Sequence, residues 1–143
     1  MGVSQSTNES QIKINFDDVK WVVENKTGVL INTLIEGEQN CLIRGTMPIN
    51  KEELLINKHL QSEKNIHIII YGRNSSDETT LKKYEQLTKL GFYNVYIYLG
   101  GLFEWLLLQD IYGSELFPTT SEELDVLKYK SPQQFNILML EAP

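Results

Sequence analysis

The stretch Gly72-Arg73-Asn74-Ser75-Ser76-Asp77 follows a run of β-branched residues and precedes a helical pattern. It therefore joins the carboxyl end of a strand to the amino end of a helix, a place where free backbone N–H groups favour an anion. Two residues oppose that use. Asp77 and Glu78 fall in the expected first helical turn, where they meet the helix dipole themselves and repel a second negative charge. Ser75 and Glu78 also have capping-box spacing, which would consume the same N–H groups. The residues thus favour a well-capped turn over an anion pocket. Ser75 or Ser76 would serve as a nucleophile only beside a base. The two histidines are His59, on an expected helix, and His67, inside an expected strand facing a helix. Neither is placed at the loop by sequence.

Cys41 is the one cysteine, so an intramolecular disulfide and a zinc-type cysteine/histidine cluster are both excluded. No metal or other cofactor is expected. Arg44 nearby would favour the thiolate, but a lone cysteine of this kind reads first as a buried or half-buried thiol. Phe103, Trp105 and the leucines at 106–108 have helical spacing and read as core. Met1-Gly2-Val3-Ser4-Gln5-Ser6 matches the acceptor pattern for N-myristoylation at Gly2. One myristoyl chain binds membranes only marginally, and Lys13 is the only basic residue in the first 19 to assist it.

These residues must be held by an ordinary globular chain: 143 residues, 41% hydrophobic and 22% charged. A net charge of −6 with no lysine/arginine cluster argues against nucleic acid as a partner. The most apolar run, 101–108, is interrupted by Glu104 and is too short to cross a bilayer. No signal-peptide pattern is present. A cytoplasmic location is expected, with peripheral membrane attachment only through a lipid at Gly2.

The organisation read from the chain is a flexible polar leader (1–10), a domain (11–117) and an extension (118–143) that packs on the domain or a partner. Ile12 and Ile14 suggest a short edge strand, and Asp17 or Asp18 the cap of a helix bearing Val19, Val22 and Val23. Strands are expected at 29–32, 65–71 and 94–99, and helices at 51–61, 78–90 and 102–112. Leu81, Tyr84 and Leu87 would face inward, Gly91 would end the third helix, and 33–50 would be a long loop. Ser121 to Lys128 reads as a short helix with Leu124 inward. Such alternation gives an α/β fold, a largely parallel sheet with helices on both faces. Its ligand edge lies at the strands' carboxyl ends, where Thr33, the 72–77 loop and Gly100-Gly101 would meet.

Over roughly residues 11–112 the chain resembles the rhodanese family. VLINT (29–33) sits where that family has LIDVR, and CLIRGTMPIN (41–50) where it has GHIPGAINI. IIIYGRNSSDET (68–79) sits on the strand, active-site loop and helix start that read VVYCRSGxRS in active members. LGFYNVYIYLGGLFEW (90–105) keeps the family's Gly91, Phe92, Asn94, Val95, Gly100, Gly101 and Trp105, and is the most specific segment. The resemblance implies a rhodanese-like fold, and its departures imply lost chemistry. Gly72 stands where the persulfide-forming cysteine would be, Ser75-Ser76-Asp77 where a basic residue is often found, and Asn32 at the LIDVR aspartate. The expected function is a domain without sulfurtransferase activity that works as a regulatory or protein-interaction module. Its contact surface would be Asn32, Thr33 and residues 72–77, with the segment beyond Pro118. Two alternatives remain. One is an enzyme using Cys41, or a phosphoryl or arsenate-type activity of related folds; the other is a structural subunit whose apolar tail (Phe135, Ile137, Leu138, Met139, Leu140) meets a partner.

Overall fold

The structure, a computed structural model, describes residues 12–135. Among the described residues four strands and four helices follow one another: β1 (Lys13–Ile14), α1 (Phe16–Asn25), β2 (Gly28–Asn32), α2 (Ile49–Ser62), β3 (His67–Tyr71), α3 (Thr79–Lys89), β4 (Val95–Tyr98) and α4 (Gly101–Tyr112). Short 3-10 turns lie at Glu36–Glu38 and Val126–Tyr129. The strands form one sheet in the order β1-β4-β3-β2, and every pairing is parallel.

The period-2 alternation of strand side chains explains why β3 is apolar throughout. Ile69 and Tyr71 point to one face, into a core with Val19 of α1 and Leu102, Trp105 and Leu106 of α4. Ile68 and Ile70 point to the other, against Ile56 of α2 and Leu87 of α3. Trp105 packs edge-on against both Tyr98 and Phe117, and donates its indole N–H to the Pro118 carbonyl at 3.1 Å. Trp105 and Leu106 are thus core, while Leu107 is partly exposed.

Four local expectations are corrected. Asn15, not Asp17 or Asp18, caps α1: its side chain accepts from the Asp18 N–H, and Asp18 accepts from the Asn15 N–H in return. On α3 Tyr84 and Leu87 face the core as expected, but Thr80 takes the inward place expected of Leu81, which is 49% exposed. His67 is exposed and stacks on Tyr96 instead of facing a helix. Residues 121–125 are irregular and only Val126–Tyr129 forms a 3-10 turn, which leaves Leu124 83% exposed.

The stretch 33–50 is a loop with buried content. Leu34, Cys41, Leu42 and Ile43 all enter the core, and Ile43 pairs antiparallel with Thr119 of the extension. The ladder continues through Arg44 N–H to Pro118 O at 3.0 Å and Thr120 N–H to Leu42 O at 2.8 Å. The described part of the extension therefore lies on the domain. Gly2 and the apolar residues from Ile137 to Leu140 lie outside the described residues.

Candidate functional site

The loop 72–77 is fixed from behind by the start of α4. Leu102 N–H donates to Gly72 O at 2.9 Å and Phe103 N–H to Arg73 O at 2.8 Å. This close approach requires glycine at 101, where φ is +67° and a Cβ would lie 2.7 Å from Gly72 O and 3.0 Å from Asn74 N. The orphan donors of a helix start are thereby spent on loop carbonyls rather than on a ligand.

The centre of the loop is filled by Asp77. Its Oδ2 accepts from Arg73 N–H at 3.0 Å, while Oδ1 accepts from Thr79 N–H at 3.0 Å and from the Thr79 hydroxyl at 2.6 Å. Burial alone would raise this carboxyl. The bonds from Thr79 and Arg73, with the Arg73 charge, outweigh it and hold Asp77 below the usual carboxylate range. A Cβ at Gly72 would lie 2.9 Å from Asp77 Cγ, closer still to Oδ2, and 3.0 Å from Thr33 Oγ1. The carboxylate thus sits beside the place a side chain at position 72 would leave the backbone.

Capping at this helix differs from the Ser75–Glu78 box read from the sequence. Neither side chain caps; Asp77 takes the Thr79 N–H, and Asn74 Oδ1 takes the Ser76 N–H at 2.9 Å. The Asp77-x-Thr79 spacing of an Asx turn was the available signal.

The expected binding residues with side chains divide into four groups. Thr33 joins the loop, donating its N–H to Tyr71 O at 3.0 Å and accepting from Thr79 Oγ1 at 2.8 Å. Asn32 and Asn74 are buried and committed. Asn32 holds the Leu34 N–H at 3.0 Å and Gln39 Nε2 at 2.7 Å, and Asn74 donates to Tyr129 O at 2.8 Å. Ser75 and Ser76 are exposed, and Ser76 donates to Ser131 Oγ at 3.0 Å. Arg73 forms an ion pair with Glu38, donates to the Lys128 carbonyl and lies 5.3 Å from the Tyr129 ring centre. Thr79 was missed although its spacing from Asp77 signalled it. Glu38, Lys128 and Tyr129 were not legible as site residues, because Glu38 lies 35 positions from Arg73 and the Arg73–Lys128 and Asn74–Tyr129 pairs each span 55.

No base serves the loop serines among the described residues. His67 begins β3, at the edge opposite the loop, and His59 lies on α2 near Glu63. Asp77, with its lowered pKa, is a weak base. Cys41 is buried, donates to Ser121 O at 3.4 Å, and burial pushes its thiol up, away from the thiolate form. No group of three or more metal-ligating side chains occurs among the described residues. No described helix is long and apolar enough to cross a membrane.

A model of the rhodanese-like domain matches residues 31–108, more than half of the chain. The chain belongs to the rhodanese-like domain family. The match runs from the end of β2 through β3, the 72–77 loop and β4 into α4. Among solved structures, the Alr3790 protein of Anabaena sp. is similar at 26% identity and a TM-score of 0.54, covering 80% of this chain and 86% of that one. A solution structure of that protein's rhodanese-like domain is similar at 23% identity and a TM-score of 0.56, covering 87% and 89%. The BH2092 protein of Bacillus halodurans shares the fold at 15% identity and a TM-score of 0.59, covering 74% and 79%. None of the curated proteins matches the chain.

Proposed function

We propose that this rhodanese-like domain has no sulfurtransferase activity and acts through binding, as a regulatory or protein-interaction module. The observation that carries the reading is the Asp77 carboxylate, hydrogen-bonded to Arg73 and Thr79 N–H groups beside a Gly72 without a side chain. The negative charge that a persulfide would bring to this loop is already there, as part of the chain. No sulfur can be carried at position 72, and a second anion would be repelled.

Cys41 gives little support to sulfur transfer from a neighbouring loop, since its thiol is buried and its pKa is raised by that burial. The reading is tested by a thiosulfate:cyanide sulfurtransferase assay on the pure chain and on Cys41→Ser. Both are expected at the background rate. Turnover by the natural chain above the Cys41→Ser control would overturn it. Mass spectrometry after exposure to a sulfur donor gives a second readout, in which no sulfur adduct is expected at Cys41.

A further inference from the structure

Residues 128–131 cross the mouth of the 72–77 loop in the manner of a bound peptide. The contacts fall in a regular series. Arg73 donates to the Lys128 carbonyl, Asn74 Nδ2 to the Tyr129 carbonyl at 2.8 Å, and Ser76 Oγ to Ser131 Oγ at 3.0 Å. From 121 to 130 only Tyr129 is fully buried, in the core cluster that holds Cys41, Leu102 and Leu106, with Arg73 over its ring. Val126–Tyr129 is a 3-10 turn, and its end presents one buried aromatic anchor and two adjacent carbonyls that the loop's side chains hold. This is the pairing of an anchor pocket with main-chain hydrogen bonds found where grooves read peptides.

The surface beneath is set independently of this segment. Leu102 and Phe103 N–H groups hold the loop carbonyls, Asp77 holds the Arg73 N–H, and Asn74 Oδ1 holds the Ser76 N–H. The outward donors of Arg73, Asn74 and Ser76 are thus already in place, which lowers the ordering cost of an occupant. The tether is weak by comparison. Glu122–Asp125 is irregular, and three of its four residues are exposed.

We propose that the former catalytic loop is a peptide-reading groove, filled in cis by Lys128–Ser131. Its partner is a protein segment with an aromatic residue and a serine or threonine two places on. This rests on the interaction-module reading above and names its site. The partner competes with the chain's own segment, so access requires the 122–131 stretch to lift while the ladder at 40–44 stays.

The probe is a fluorescein-labelled peptide with the sequence of residues 123–135, titrated into full chains by anisotropy. Tyr129→Ala empties the anchor site and is expected to bind the peptide at least tenfold tighter than the natural chain. Adding Asn74→Asp keeps the acceptor for Ser76 N–H but removes the donor to the carbonyl, with an expected loss of about tenfold. A peptide with alanine for its tyrosine should not bind. Should Tyr129→Ala not fold, the natural sequence carrying a site-specific protease sequence at Glu122 is folded first and then cut. Its released fragment should exchange with the labelled peptide. Equal binding of the tyrosine and alanine peptides, or no exchange in the cut chain, would overturn the groove. So would a dimer that swaps the segment between two copies, seen by light scattering. These failures leave absent sulfur transfer untouched, whereas turnover in the sulfurtransferase assay sinks the module reading without bearing on peptide binding.

Discussion

A cysteine introduced at position 72 should not confer sulfurtransferase activity. The new Cβ would lie 2.9 Å from Asp77 Cγ and 3.0 Å from Thr33 Oγ1, inside ordinary carbon contact distance. Asp77 would have to swing out and release three hydrogen bonds, from Arg73 N–H, Thr79 N–H and the Thr79 hydroxyl. Bonds to a charged group contribute roughly 1.5–3 kcal/mol each when buried. Asp77 is only partly buried and water replaces part of the loss, so the expected cost of Gly72→Cys is about 2–4 kcal/mol in total. A domain of this size loses roughly 3 °C of Tm per kcal/mol, which gives a fall of about 6–12 °C. The carboxylate would also raise the pKa of the new thiol, the reverse of activation. Gly72→Cys/Asp77→Ala removes both obstacles and frees the Arg73 and Thr79 N–H groups for a sulfur anion. The double variant should recover roughly 1–3 kcal/mol relative to the sum of the singles, and should gain the mass of one sulfur from thiosulfate where Gly72→Cys alone does not. Thermal unfolding and intact-mass measurement decide it. A Gly72→Cys chain as stable as the natural one, and persulfidated as readily as the double variant, would refute the obstruction.

Three further outcomes are expected. Because the folded pKa of Asp77 is depressed, its contribution is present above the unfolded carboxylate value of about 4 and is lost as pH falls through the lower folded value. Urea unfolding of the natural chain and Asp77→Asn should therefore differ at pH 7 and converge below about pH 4. Gly101→Ala combines a positive φ with backbone contacts at 2.7 and 3.0 Å, so equilibrium unfolding should show at least ~2 kcal/mol of destabilisation. Gly37→Ala, with nothing within 4 Å of its Cβ, should stay within about 0.5 kcal/mol. Cys41 should react with Ellman's reagent on the order of a hundredfold more slowly in the native chain than in guanidinium, and comparable rates would contradict its burial.

Much of the sheet was legible because it depends on local pattern. The runs at 29–32, 65–71 and 94–99 and the Gly100-Gly101…Trp105 segment announced strands and a helix that the structure contains, with strand ends that differ by one or two residues. The site was legible only in outline. Asp77 was readable as a charge opposed to an anion, but not as the acceptor of the Arg73 N–H, because that depends on how the chain folds back onto Arg73. The helix expected at 121–128 failed because tertiary contact outweighs propensity there. Thr120 and Ser121 bond to Asn40, and Tyr129 is drawn into the core, so the chain runs across the domain instead of coiling. Leu81 was misplaced for a smaller reason: Thr80 turns inward and donates to Asp77 O at 3.1 Å.

The strand order β1-β4-β3-β2 has a consequence for how the chain is made. β2, β3 and β4 add to one another in the order of synthesis, so three strands can assemble as they emerge. β1 is made before them all, yet Lys13 pairs with Ile97 and Ile14 with Tyr98. At ordinary ribosomal speed it waits on the order of ten seconds for its neighbour. The Asn74–Tyr129 bond closes later still, so a nascent chain that has emerged from the ribosome beyond residue 98 but not as far as residue 129 would display its four strands with the groove uncovered.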